Sequence, residues 1–192
     1  MKRIKSKAGF TLVEVMVTIL ILLMLYSGVV IAMDVGGKIY RESIFESHSS
    51  LLAESLNNHL GDILGNASEI TVNDGIITDD YGKKLYKEDV PMVFTNSSYG
   101  AQDAYLTASP VSPQTLVIKG LHTTDAYQLV NTGTYPDLAV TNFKITYHAK
   151  SNSTTDGTGY GGYCTIQYTI QSTNNSSLSK EVNTVVRLLN DP

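Results

Sequence analysis

A single carboxylate, Glu14, stands at the entrance of a long apolar run. The residues that follow it, Val15 to Met33, carry no charged side chain. A charge inside a membrane-length segment costs roughly 2.5 to 3.5 kcal/mol on insertion scales, so a carboxylate at this place needs a partner or a purpose. Glu14 is therefore the main indication of function in the sequence.

The residues before the run form a short basic leader. It ends at Gly9, directly before Phe10, and its basic side chains are Lys2, Arg3, Lys5 and Lys7. Positive charge next to an apolar segment keeps that end of the chain in the cytoplasm. The run from Val15 to Met33 is close to the roughly 20 residues that a helix needs to span a bilayer. We therefore expect a single-pass helix with its N-terminus in the cytoplasm and the rest of the chain outside.

The basic leader, Gly9, Phe10, Glu14 and the long apolar run together resemble the type IV prepilin signal, which pilins share with the pseudopilins of type II secretion. The resemblance implies that prepilin peptidase cuts between Gly9 and Phe10 and that Phe10 is then N-methylated. It also implies that Glu14 serves filament assembly by pairing with the amine of Phe10 on a neighbouring subunit. The implied partners are other pilins or pseudopilins, prepilin peptidase, an inner-membrane assembly platform and membrane lipid. The implied location is the bacterial cytoplasmic membrane, and after assembly a periplasmic or extracellular filament.

An ordinary secretory signal peptide is the alternative interpretation of the same segment. Val30 to Ala32 offers small or permissive residues before a cut at Met33, and the product would be a secreted adhesin or ligand-binding module. The apolar run is longer than the usual core of about 7 to 15 residues in such a peptide, which favours the prepilin interpretation. A lipoprotein signal is excluded, because the single cysteine is Cys164.

The charge balance bears on partners. The chain has 14 basic and 18 acidic residues, and removing the four basic residues of the leader leaves 10 against 18. The local basic group of Lys83, Lys84 and Lys87 is flanked by acidic residues. An acidic protein repels phosphate, so we expect no direct binding of nucleic acid.

Beyond the apolar run the helical pattern continues, with a stripe of leucines at four-residue spacing: Leu52, Leu56, Leu60 and Leu64. Gly65 and Asn66 predict the end of the helix. We expect Gly28 and the pair Gly36 and Gly37 to form a bend or a short loop, or else to make the helix pliable in a filament. The resulting division is a leader (1–9), a transmembrane and assembly helix (10–33), an amphipathic continuation (34–65) and a globular β-rich head (66–192).

The head reads as β structure. Asn73 to Gly75 predicts a hairpin turn between strands at Ile70 to Val72 and Ile76 to Thr78. The other expected strands are Pro91 to Thr95, Thr115 to Lys119, Tyr127 to Asn131, Asn142 to Lys150, Tyr163 to Ser172 and Glu181 to Leu189, with a long loop at Ser151 to Gly162. We predict an α+β fold in which the long helix lies on an antiparallel sheet, as in pilins. The last fifty residues are similar to the J-type minor pseudopilins and W-type minor pilins, which implies a minor, tip or initiation subunit.

No residue pattern indicates catalysis, so we expect a protein that is not an enzyme and that holds no cofactor. The histidines, His48, His59, His122 and His148, lack zinc-helix spacing and are expected to be isolated on the surface. Calcium ligands at Asp79, Asp80, Asp89 and Asp156 are the less favoured interpretation, because loop carboxylates are usually solvated. Cys164 lies on the same strand face as Ile166, which predicts a buried, unreactive thiol.

Overall fold

The structure, a computed structural model, describes residues 10–109, 115–131, 133–149 and 162–189. The chain divides into two compact units, Met1–Ile44 and Phe45–Pro192. The first element is a helix, α1, at Leu12–Gly65. It is followed by ten strands: β1 (Ser68–Val72), β2 (Ile76–Thr78), β3 (Lys84–Tyr86), β4 (Met92–Asn96), β5 (Ala101–Ala108), β6 (Leu116–Gly120), β7 (Ala126–Gln128), β8 (Leu138–His148), β9 (Tyr163–Ser172) and β10 (Ser179–Arg187). A short 3-10 helix, η1 (Ser97–Tyr99), lies between β4 and β5.

Helix α1 continues through all three glycines that were expected to interrupt it. Gly28, Gly36 and Gly37 are helical, so the expectation of a loop is wrong. Each glycine lowers helix stability by only about 1 kcal/mol relative to alanine, and no proline removes a backbone donor. The helix ends at Gly65, as predicted, and the backbone N–H of Asn66 still donates to the carbonyl of Asp62 at 3.3 Å.

The strands form three antiparallel sheets. The largest has the order β1-β4-β5-β6-β7, the second has the order β10-β9-β8, and β2 pairs with β3. The predicted late meander is confirmed, because β9 pairs with β8 on one side and β10 on the other. Its central strand has the predicted bounds, Tyr163–Ser172.

One main core joins the helix to both larger sheets in the Phe45–Pro192 unit. Helix α1 contributes the leucine stripe together with Ile63. The five-stranded sheet contributes Met92, Phe94, Leu106, Leu116 and Ile118, and the three-stranded sheet contributes Val140, Cys164, Ile166, Tyr168 and Ile170. The long helix followed by antiparallel sheets is the expected α+β, pilin-like architecture, and this prediction is confirmed.

Polar bonds also connect the helix to the strands. The hydroxyl of Tyr168 on β9 lies 3.0 Å from Oδ1 of Asn57 and 3.3 Å from the carbonyl oxygen of Ala53. Burial raises the pKa of that phenol, so it remains a proton donor across the physiological range. On β10, Nζ of Lys180 lies 2.6 Å from Oε1 of Glu46. These bonds fix the rotation of the helix against the three-stranded sheet.

The predicted hairpin at Asn73 to Gly75 is wrong. Strand β1 pairs with β4, and β2 pairs with β3, so the strands on either side of Asn73 belong to different sheets. Asn73 is buried, and its side-chain amide donates to the carbonyls of Leu85 and Val90 at 3.1 and 3.0 Å. These distant partners turn the chain out of one sheet and into the next. Strand β5 was missed entirely.

Candidate functional site

The candidate site begins at Phe10, the first residue that the structure describes. Its ring is 79% exposed, and the helix starts two residues later, at Leu12. Gly9 lies outside the described residues. Cleavage between Gly9 and Phe10, and methylation of Phe10, therefore remain predictions.

Thr11 and Glu14 cap the start of the helix reciprocally. The backbone N–H of Glu14 donates to Oγ1 of Thr11 at 3.3 Å, and the backbone N–H of Thr11 lies 3.4 Å from Oε2 of Glu14. The N–H of Val15 donates to the carbonyl of Thr11 at 3.2 Å, which is the first bond of the helical ladder. This Thr-x-x-Glu arrangement is a capping box, which satisfies two backbone donors that a helix start otherwise leaves unpaired. The sequence analysis identified Glu14 as a functional residue but did not identify Thr11, although the Thr-x-x-Glu spacing is typical of a capping box.

The capping box gives Glu14 a local role that competes with a role between subunits. A carboxylate near a helix N-terminus is favoured by the helix dipole as well as by the backbone bond. The contact at 3.4 Å is nevertheless long for a bond to an ionised oxygen, which is typically about 2.7 to 2.9 Å. The carboxylate is thus oriented by its own helix and still able to accept a stronger donor.

The helix after Glu14 is long and apolar enough to cross a membrane. An 18-residue window within it reaches a mean hydropathy of 2.7, and none of that window is buried against the rest of the chain. The large side chains from Leu12 to Met33 are exposed, for example Leu23 at 63% and Met24 at 69%. Water is an unfavourable environment for so much continuous apolar surface, so this segment requires lipid or other apolar helices around it.

Two of the hydroxyls in the apolar run, those of Thr18 and Ser27, are satisfied within the helix. Oγ1 of Thr18 donates to the carbonyl of Glu14 at 2.7 Å, and Oγ of Ser27 donates to the carbonyl of Met24 at 2.8 Å. Unpaired polar groups are costly in hydrocarbon, and these bonds remove that cost. The next charged residue after Glu14 is Asp34, so the two carboxylates bracket an uncharged segment of membrane length.

In a comparison with known protein families, this N-terminal segment matches a family model. Residues 4–32 match the prokaryotic N-terminal methylation motif. The match covers residues 4–9 of the leader, the proposed cut and modification site, Glu14 and most of the apolar run, and from Phe10 onward it coincides with the described start of α1. No curated protein and no solved structure matches the chain.

The methylation motif supports a precursor of the pilin or pseudopilin type, a structural and not an enzymatic class. The apolar helix that carries it fits an anchor in the inner membrane, and assembly with other pilins and processing by prepilin peptidase are what such a motif implies.

In the head, His122 departs from the expected isolated histidine. Its Nδ1 lies 2.8 Å from Oδ2 of Asp80, and its Nε2 lies 3.2 Å from Oδ2 of Asp103. Hydrogen bonds to these two carboxylates, chiefly that to Asp80, raise the pKa of His122 above its ordinary value of 6.5. Both ring nitrogens can donate to carboxylates only when the imidazole is protonated, so protonated His122 forms an ion-pair bridge between two loops and β5.

Two of the acidic residues named as possible calcium ligands, Asp79 and Asp80, bond to other groups of the chain. Oδ1 of Asp79 accepts from the backbone N–H groups of Tyr81 and Lys83 at 3.1 and 2.7 Å, which shapes the turn between β2 and β3. Asp80 pairs with His122, and Asp156 lies outside the described residues. Within the described ranges, no group of three His, Cys, Asp or Glu side chains could hold a metal ion.

Cys164 is fully buried, and its Sγ lies 3.5 Å from Sδ of Met92. The predicted buried thiol is therefore confirmed.

His148 stacks on Tyr163 with ring centroids 4.4 Å apart, and His48 meets Tyr135 edge to face at 6.2 Å. These histidines pack as aromatic side chains.

Proposed function

We propose that this chain is a prepilin-type structural subunit that is cleaved, N-methylated and assembled into a type IV pilus or a type II secretion pseudopilus. The observation that carries the proposal is the coincidence of the methylation motif at residues 4–32 with a capped helix start and a solvent-exposed, uncharged run of membrane length. A disposable signal needs neither the cap nor a helix that continues into a folded head.

In the filament, Glu14 accepts a hydrogen bond from the methylated ammonium of Phe10 on a neighbouring copy. Cleavage after Gly9 creates that cation beside the capping box, where the carboxylate is already oriented. Leaving either charge unpaired in hydrocarbon is costly, so the pair favours one axial register between subunits. The long contact to the N–H of Thr11 then gives way to a shorter, charge-assisted bond.

The leader lies in the cytoplasm and the head outside, because the basic residues of the leader resist translocation. Other pilins, the peptidase, the assembly platform and lipid all meet the protein through its N-terminal segment. Within the class, we assign the chain to a minor, tip or initiation subunit, on the resemblance of its last fifty residues to J-type and W-type proteins. Neighbouring genes for a secretin and secreted enzymes would favour a pseudopilus, and genes for a retraction ATPase or for competence would favour a pilus.

The N-terminus of the mature chain tests the proposal. Intact mass and N-terminal sequencing of protein from cells with prepilin peptidase should give a chain that starts at methylated Phe10. Gly9→Ala should slow or block this cut if the peptidase needs the small, flexible residue. A mature chain that starts at Met33 would instead show an ordinary signal peptide and a secreted adhesin or binding module.

Ala32→Leu is the matched control for that experiment. It removes the small residue before Met33, on which ordinary signal peptidase depends, and it leaves Gly9 and Phe10 unchanged. The proposal requires normal processing of Ala32→Leu and impaired processing of Gly9→Ala. The reverse pattern would overturn it.

A further inference from the structure

The head carries a cavity of about 230 Å³ that no part of the assembly function uses. Two tyrosines line it, Tyr99 at the end of η1 and Tyr127 on β7, together with residues of β5, β6 and the connection after β6. Pockets for drug-sized ligands are larger, roughly 300 to 1,000 Å³, so this cavity has the size for one small ring.

Tyr99 is held in place from both its backbone and its side chain. Its hydroxyl donates to Oδ2 of Asp62 at 2.8 Å, and its backbone N–H lies 3.4 Å from Oδ1 of Asn96. The side-chain amide of Asn96 in turn donates to the carbonyl of Ile63 at 2.7 Å. The ring nevertheless remains 42% exposed. An aromatic side chain that is fixed and still open to solvent is a preorganised contact surface, because binding need not order it.

Two glycines shape the wall of the cavity. Gly100 ends η1 with a φ of 60°, a conformation that a residue with a Cβ adopts only with strain. A Cβ added to Gly120 would meet Oγ1 of Thr123 at 2.8 Å, so a side chain there would displace a lining residue. Glycine thus serves the backbone turn at one position and the placement of Thr123 at the other.

The polar groups of the cavity are available to a ligand. Gln102, Thr123 and Asp125 line it, and with the described residues their side chains make no hydrogen bond. The amide and the hydroxyl can each donate and accept, whereas the carboxylate accepts. Among the described residues, no basic side chain lines the cavity and Asp125 is its one charged group, so an anionic ligand is disfavoured.

We propose that this cavity binds a single neutral sugar ring of a glycan. A pyranose has a face of C–H groups, which the negative face of a tyrosine ring attracts, and an edge of hydroxyls that both donate and accept. Gln102, Thr123 and Asp125 match that edge. An alkylammonium group would also suit tyrosines and a carboxylate, but it has no acceptor and would leave the N–H groups of Gln102 without a hydrogen-bond partner.

Saturation-transfer NMR on the full-length protein in detergent micelles tests this directly. The probes are glucose, galactose, mannose, N-acetylglucosamine and N-acetylgalactosamine, each at millimolar concentration. Tetramethylammonium and inorganic phosphate are tested beside them as the cationic and the anionic alternative ligand. At least one sugar should receive saturation on its C–H protons. Tyr127→Ala should weaken its binding roughly tenfold, and Tyr127→Phe, which keeps the ring, should stay within about threefold of the original protein.

Tyr81→Ala is the matched control, since Tyr81 is 60% exposed and does not line the cavity. Tyr127 is itself 67% exposed, so its removal leaves the core intact, and an unchanged unfolding midpoint would verify this. Gln102→Ala provides a second variant and should weaken binding severalfold. Binding of none of the five sugars, sugar binding that Tyr127→Ala leaves unchanged, or binding of tetramethylammonium alone would each overturn the proposal.

Discussion

Glu14→Gln is the substitution that separates the two roles of Glu14. Glutamine at the third position of a helix completes a capping box as glutamate does, so the bond with Thr11 can remain. The charge, however, is lost. If Glu14 pairs with the ammonium of Phe10 on a neighbouring copy, the substitution leaves that cation unpaired in an apolar environment. The penalty is roughly 2.5 to 3.5 kcal/mol per subunit, or about a 70- to 400-fold fall in the equilibrium for incorporation.

Two further variants and a control complete the comparison. Thr11→Ala keeps the carboxylate and removes the Oγ1 that accepts from the N–H of Glu14, which should cost about 1 kcal/mol and lower incorporation about fivefold. Glu14→Leu removes both the charge and the cap, but it adds apolar surface and should not impair insertion. Ser27→Ala changes a hydroxyl that bonds only within the helix and serves as the neutral control.

The assay shears filaments from the cells and compares the filament and membrane fractions by immunoblot, with intact mass to verify processing. We expect Ser27→Ala near the original level, Thr11→Ala about fivefold lower, and both Glu14 variants much lower still in the filament fraction. Normal processing together with full incorporation of Glu14→Gln and Glu14→Leu would refute an essential assembly role for this carboxylate. Full incorporation of Glu14→Gln with loss of Glu14→Leu would assign the role to the cap alone.

Three other predictions concern the head and the helix. Leu56→Ala should cost roughly 2 to 5 kcal/mol in the free energy of unfolding, because Leu56 is fully buried. Leu51→Ala, at a 51% exposed position, should change that free energy by less than about 0.5 kcal/mol. Chemical denaturation measures both variants, and equal effects would contradict the assigned core face. The raised pKa of His122 means that its bridge contributes stability below pH 6.5 and that this contribution is lost as pH rises through the raised pKa. An NMR titration should show a pKa of His122 above 6.5, and this pKa should return toward 6.5 in Asp80→Asn. An unshifted pKa in the original protein would contradict the bridge. A Cβ added at Gly36 meets no atom within 4 Å, so Gly36→Ala should stabilise the helix by about 1 kcal/mol. Reduced filament incorporation of this variant would indicate that assembly needs a pliable helix. Unchanged incorporation would indicate that it does not.

The features that the sequence predicted well are those with a strong period. The leucine stripe from Leu52 to Leu64 is buried as its four-residue spacing indicates, and the alternation around Cys164 predicts both the bounds and the inner face of β9. In these segments a whole face is buried in the main core, so burial imposes its own period on the residues. The assignment of Glu14 to the start of the helix also needed only the residues around it.

Other features depend on partners that the local sequence does not contain. The hairpin turn at Asn73 to Gly75 is predicted from the turn preference of these residues, but the side chain of Asn73 bonds to carbonyls 12 and 17 residues away. Strand β5 begins with Ala-Gln-Asp-Ala, which has low strand propensity, and it forms because β4 and β6 pair with it on both sides. Nothing in the spacing of Tyr99 and Tyr127 indicates that they share a cavity, since the fold brings η1 and β7 together.

The attachments between helix α1 and the strands have a mechanical consequence. They are spread along the helix at Glu46, Ala53, Asn57 and Ile63, and they reach strands of both larger sheets. A pull along the helix axis would therefore load these bonds and the leucine contacts together, in shear, instead of opening them one after another from an end. The head should resist tension applied through its N-terminal helix far better than tension that peels β10 from the edge of its sheet, and a single-molecule pulling experiment with the two attachment geometries would measure the difference in rupture force.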